Sequence, residues 1–174
     1  WLYKRVYPLE DSLSSEEALL SAHLCQLEMI KSGTTCFVDP GNHFPDEVAR
    51  AVAQSGMRCV ITRSTMDIHS NARGDLPPTR FRESTEEAAT RLGEVIKRLH
   101  GSAEGRIRAS ASLRNLYAAS DQLIGEVKAL ADRHKSFIQS HVAGNHNGQV
   151  ASLARHGCRD VERLQRLGVL DHRW

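Results

Sequence analysis

Apolar and polar residues alternate along this chain between helical stripes and short β-branched or aromatic runs. Ser14-Ser15-Glu16-Glu17 forms a capping box, with Ser14 accepting from the helix and Glu17 reaching back. The helix it opens carries Leu20, Leu24, Leu27 and Ile30 on one stripe, and Gly33 stops it. Residues 34–38 then read as a strand ending in the turn residues Asp39-Pro40-Gly41-Asn42. A short helix over 45–54 closes at Gly56, and 58–63 is the second strand. A second capping box, Ser84-Thr85-Glu86-Glu87, opens a helix that buries Ala88, Leu92, Val95, Ile96 and Leu99. Residues 106–113 form the third strand, and Ser120-Asp121 caps the helix that runs to His134. The fourth strand starts near Ser136, and helices over 150–156 and 160–167 end at Gly157 and Gly168. Residues 1–9 read as an irregular lead-in. Residues 65–82 have no period and include Pro77-Pro78, a long loop of the kind that is functional or mobile.

A helix followed by four strand-helix units implies a parallel sheet with right-handed crossovers. A complete (β/α)₈ barrel needs at least about 200 residues. These 174 residues therefore make either a small open α/β sheet or the middle of a larger barrel.

Charge and composition narrow the function classes. A net charge of +2, scattered Lys and Arg and 5% aromatics give no nucleic-acid footprint. No apolar run is long enough to span a membrane. Cys25, Cys36, Cys59 and Cys158 form no CxxC pair, and three of them sit in apolar surroundings. That pattern fits reduced, buried thiols and a cytoplasmic location. The chain opens on Trp1 and stops at Trp174, which read as cut edges.

The residue with the clearest chemical meaning is His141, at the end of the run Phe137-Ile138-Gln139-Ser140. α/β barrels place their chemistry where a buried strand ends, and a neutral imidazole is the commonest metal ligand. A core histidine satisfied by the backbone is the alternative. Asp39 ends the first strand, where it either lines a pocket or caps the Pro40-Gly41 turn. His43 and His146 lie on loops at the same face, lining the site or solvated. Ser140 and Cys36 have no partnered base at readable spacing, and no GxSxG is present.

Several stretches resemble one family in order. Glu28-Met29-Ile30-Lys31-Ser32-Gly33-Thr34-Thr35-Cys36-Phe37-Val38-Asp39 resembles the "EMIKSGTTTFxD" segment of the amidohydrolase superfamily, in its branch of triazine chlorohydrolases and guanine, 8-oxoguanine and adenosine-type deaminases. Trp1-Leu2 with Tyr7-Pro8-Leu9-Glu10 is similar to that branch's "WL…WPLE". Arg63-Ser64-Thr65-Met66-Asp67 resembles the end of its third strand, Ser140-His141-Val142-Ala143 its "HVAE", and Gly157 to Asp171 its "GxRPVExLxxLGLLD".

The resemblance implies a partial (β/α)₈ TIM barrel of about four βα units, strands two to five. Residues 1–174 would be an incomplete catalytic barrel domain. It also implies one divalent ion, zinc or iron, with His141 as the strand-five ligand and the remaining ligands outside this chain. Two positions depart from the pattern. Gly144 stands where the deaminases carry the Glu that shuttles protons, and Arg114 stands where the branch has a substrate-contacting His. The general acid or base is therefore unidentified, and classical aminopurine deamination loses its standard shuttle. An arginine at a barrel mouth suits a carboxylate or another anion.

The expectation is a metal-dependent hydrolase of carbon–nitrogen (non-peptide) bonds, deaminase- or chlorohydrolase-like, on a small heterocyclic substrate. Arg114, Asp39, His43 and His146 are its candidate substrate contacts. The alternative is a non-catalytic barrel fragment acting only by association, as a homo-oligomer. Neither reading involves nucleic acid or a membrane.

Overall fold

The computed structural model describes every residue except residue 72, which lies within the long loop over 65–82. The lead-in is helical rather than irregular. A π-helical turn, Leu2–Val6, runs into α1 (Tyr7–Ser12). Pro8 sits in the first turn of α1, where no backbone N–H is needed, so it starts a helix instead of breaking one. Ser14 and Glu17 form the expected capping box of α2 (Ser15–Lys31), as Ser84 and Glu87 do for α4 (Thr85–Leu99).

The parallel wall follows in chain order. β1 (Cys36–Val38) pairs with β2 (Arg58–Ile61), with α3 (Pro45–Ser55) between them. The expected third strand is broken at Ser110 into β3 (Ile107–Ala109) and β4 (Ala111–Asn115). β3 continues the ladder from β2, and β4 pairs with β5 (Ile138–His141) across α5 (Asp121–His134). The run thus changes partner at Ser110, whose N–H donates to the Ile61 carbonyl. α6 (His146–His156) begins four residues before the expected start, because Asn145 caps it by accepting from the Gly148 N–H. α7 (Asp160–Arg166) closes the described fold. Among the described residues no helix is long and apolar enough to cross a membrane.

Helices α3, α4 and α5 pack one side of the wall. Val52, Leu92, Val95, Ile96, Leu123, Ile124 and Val127 meet Ile61, Ile107, Leu113 and Ile138 in one cluster. The other side of the strands is polar, and several of its side chains bond one another. Thr62 Oγ1 donates to Ser112 Oγ (2.7 Å), Ser112 Oγ to the Arg63 carbonyl (2.6 Å), and Gln139 Nε2 to Ser110 Oγ (2.8 Å). A second, smaller cluster of Tyr7, Met66, Phe81 and Ala118 lies over the carboxyl ends of the strands.

Burial is notable at the α2 stripe and differs from expectation at the cysteines. The α2 stripe faces solvent, with Leu20 59% exposed and Leu24 56%. α2 instead turns Ala18 and Gln26 inward, and Gln26 Oε1 accepts from Ser55 Oγ of α3. Small and polar contacts hold that pair, so the larger residues are left outside. Of the cysteines, only Cys59 and Cys158 are buried, while Cys25 and Cys36 are exposed.

The long loop is tied down at its far end by a buried ion pair. Arg63 donates through Nη1 and Nη2 to the two Glu83 oxygens at 2.9 and 2.7 Å, with side chains 10% and 5% exposed. Removing one partner of such a pair strands the other charge away from water. In the full-length protein, Glu83→Ala is expected to lower the unfolding free energy by about 3–5 kcal/mol. Urea denaturation checks this, and a loss under about 1 kcal/mol would remove the pair from the account.

Candidate active site

The carboxyl ends of the strands carry the chemistry-bearing residues. Asp39 follows β1 and is 9% exposed. Its Oδ1 accepts from the Gly41 N–H and its Oδ2 from Asn42 Nδ2, both at 2.7 Å. The carboxylate therefore shapes the turn, and burial pushes its pKa upward. Its carbonyl accepts from Gln139 Nε2 of β5 at 3.0 Å, a tie across the polar side of the wall. Gly41 adopts φ +98°, and a Cβ there would lie 2.8 Å from the Arg63 carbonyl oxygen. Only glycine allows that approach.

Arg114 sits at an irregularity in the ladder. Leu113 pairs with Ser140 and Asn115 with His141, so the register shifts between them and Arg114 is left over. This is bulge geometry, which bends a strand and re-aims a side chain. The Arg114 N–H donates to the Thr65 carbonyl at 2.8 Å instead of joining the β5 ladder. Its Nη1 donates to the Gly41 carbonyl at 3.2 Å, and its guanidinium stands 5.6 Å from the Tyr7 ring centroid.

His141 ends β5 with an exposed imidazole. It shares a cavity of about 330 Å³ with Arg114, Asn115, Tyr117, Gly144 and Asn145. Gly144 is not in the left-handed region, and a Cβ there would meet nothing within 4 Å. The missing carboxylate is thus an absent side chain in open space.

His43 is not the solvated loop residue that one alternative allowed. Its side chain is 10% exposed, and its ring stacks on Phe81 with centroids 3.7 Å apart. Its Nε2 lies 3.9 Å from Glu10 Oε2, and neither atom has a hydrogen-bond partner. Burial, followed by the charges of Arg63, Arg114 and Arg80, lowers the His43 pKa from 6.5 to about 3. Burial likewise raises that of Glu10. His146 stands apart. It lines a separate groove with Ala143, Gln149, Val150 and Leu153.

The structure therefore brings Arg114 and His141 into one cavity. Asp39 and His43 lie behind Arg114, and His146 lies beside the cavity. Tyr7, Glu10, Asn115 and Tyr117 belong to this region and were not singled out as site residues. Tyr7 and Glu10 stood in the quoted Tyr7-Pro8-Leu9-Glu10 stretch. Nothing in the local pattern of Asn115 or Tyr117 marks a site. For a metal, the donor set is short. Among the described residues no group of three or more His, Cys, Asp or Glu could hold an ion, so His141 offers one ligand where a catalytic zinc needs three from protein.

A family model described as "Amidohydrolase family" matches residues 1–172. The chain belongs to the amidohydrolase family. It is 37% identical over 177 aligned positions to a 5'-deoxyadenosine deaminase of Methanothermobacter thermautotrophicus, covering 99% of this chain and 38% of that protein. It is 32% identical to a 5-methylthioadenosine/S-adenosylhomocysteine deaminase of Thermoanaerobacter pseudethanolicus, covering 98% of this chain and 37% of that one. An adenosine deaminase from Xanthomonas campestris with bound zinc superposes with a TM-score of 0.83 at 26% identity, over 99% of this chain and 37% of that one. Guanine deaminase from E. coli gives a TM-score of 0.82 at 17% identity, covering 99% and 40%, a likeness of fold. The chain thus spans less than two fifths of the curated relatives it matches. Its fold is part of the amidohydrolase TIM barrel, as the parallel wall and these superpositions agree. Deaminase-named relatives do not favour a fragment acting only by association.

The buried imidazole gives a pH signature. Between about 3 and 6.5 the unfolded His43 binds a proton that the folded one does not. Stability therefore rises with pH across that window and falls as the pH drops through it. His43→Phe keeps a ring against Phe81 and cannot titrate. Its unfolding free energy should fall less than the native chain's between about pH 6.5 and about pH 4. Parallel denaturation series check this, and identical pH slopes would contradict a neutral, buried His43.

Proposed function

We propose that these residues form the barrel segment of a metal-dependent hydrolase that deaminates a small heterocyclic substrate. The observation that carries this reading is the shared cavity, which the exposed His141 at the end of β5 and Arg114 of β4 both line. The family membership and the deaminase names of the relatives support it. His141 would be one ligand of a zinc or iron ion, with the other ligands outside these residues. Such an ion, when bound, polarises the reacting bond and makes water a nucleophile near neutral pH.

The chain's own residues have narrower tasks. Arg114 holds and orients the substrate. Asp39 and His43 keep the turn and the stacked loop behind it in place. His146 stands at the rim and contacts only a substrate long enough to reach the neighbouring groove. Gly144 moves no proton, so proton transfer falls to a group outside these residues or to water. The substrate is a small molecule, and the free thiols fit a cytoplasmic setting.

Ammonia release from 5'-deoxyadenosine, 5-methylthioadenosine and S-adenosylhomocysteine, the last of which carries a carboxylate, by the full-length, metal-replete protein tests the reading. At least one should be turned over, and His141→Ala should cut the rate by about a hundredfold or more, as loss of a ligand does when even outer partners are worth about 10–100-fold. Native turnover in His141→Ala, or no ammonia from any of the three, would overturn it.

A further inference from the structure

We propose that the cavity selects substrates carrying a carboxylate, and that Arg114 is the residue that determines this specificity. The inference rests on the hydrolase reading above and names the substrate class of the same site.

The first ground is the state of the guanidinium. Arg63, Arg80, Arg98, Arg163 and Arg173 each hold a carboxylate within salt-bridge distance. Half-buried Arg114 has no such carboxylate partner among the described residues; its guanidinium donates to the Gly41 carbonyl and stands against Tyr7. A guanidinium has five N–H donors in a planar fork, so these contacts leave donors available on a residue that lines the cavity.

The second ground is the surrounding charge. Glu10 and Asp39 are near enough to be felt electrostatically by Arg114. Both Asp39 oxygens are already taken by Gly41 and Asn42, and Glu10 Oε2 lies against His43 Nε2 at 3.9 Å rather than in an ion pair with Arg114. Among the residues that line the cavity, the one carboxylate is Asp160. Its Oδ2 is turned to the Ala143 N–H and to Gln149 Nε2. Gly144 adds no charge to the wall. None of these three carboxyl groups therefore forms a direct ion pair with Arg114 among the described residues.

The third ground is pre-organisation. Arg114 occupies the extra position between Leu113 and Asn115, its N–H fixed by Thr65 and its guanidinium beside the Tyr7 ring. A guanidinium on a fixed backbone and steadied by one hydrogen bond and a ring contact binds a planar two-oxygen group with reduced ordering cost.

Nicotinate and nicotinamide are matched heterocyclic probes that differ in this one group. Calorimetric titration of the full-length protein should show nicotinate binding about tenfold or more tighter than nicotinamide, the range of a charge-assisted hydrogen-bonded contact. Arg114→Met should abolish the preference for nicotinate over nicotinamide, and Arg114→Lys should keep part of it. Equal binding of the two probes, no binding of nicotinate, or a preference that survives Arg114→Met would each overturn the inference. The two readings fail separately. Ammonia release without a nicotinate preference removes the carboxylate inference alone. A nicotinate preference that Arg114→Met abolishes, without ammonia release, removes the hydrolase reading and leaves Arg114 as the anion contact.

Discussion

The buried Arg63–Glu83 pair is the constraint on which the mouth of this barrel segment depends. Arg63 lies just after β2, and Glu83 just before the capping box of α4, so the pair pins both ends of the long intervening loop. The Arg63 carbonyl also accepts from Ser112 Oγ, and the glycine at position 41 packs against it. One arginine therefore joins the loop, the turn after β1 and the third strand. Two charges inside a fold are held at a desolvation cost, and the bidentate contact with further neighbours offsets it.

With that loop pinned, the rest of the mouth follows mechanically. Phe81 at the loop's far end enters the small cluster with Tyr7 and stacks on His43. The Thr65 carbonyl at its near end takes the Arg114 N–H and so stabilises the register shift in β4. Asp67, also in the loop, accepts from Thr85 Oγ1 and from the backbone N–H of Ser120, joining the starts of α4 and α5. A segment without periodicity is thus tied to several elements around the strand ends. Its sequence shows no regular pattern because Thr65, Asp67 and Phe81 each meet a different element.

That difference explains what could be read before the structure. Capping boxes at Ser14 and Ser84, the cap at Ser120 and the glycine stops are local, and the structure keeps them. The strand ends that carry Asp39 and His141 were legible for the same reason. The bulge at Arg114 was not, because it is set by a carbonyl about fifty residues earlier in the chain. The same holds for the stacking of His43 on Phe81, a contact between two loops. The α2 stripe shows a limit of local pattern. A helical period shows that one face is apolar and not what covers it, and here Leu20, Leu24, Leu27 and Ile30 face outward.

The account stands or falls on His141. A half-barrel with a free imidazole at the end of β5 makes sense as part of a metallohydrolase only if that nitrogen holds the metal. Anomalous scattering at the zinc or iron edge from crystals of the full-length protein is the direct measurement. The account predicts a peak about 2.0–2.1 Å from a ring nitrogen of His141, the normal zinc–imidazole distance. A metal bound elsewhere, with His141 outside its coordination shell, would contradict it.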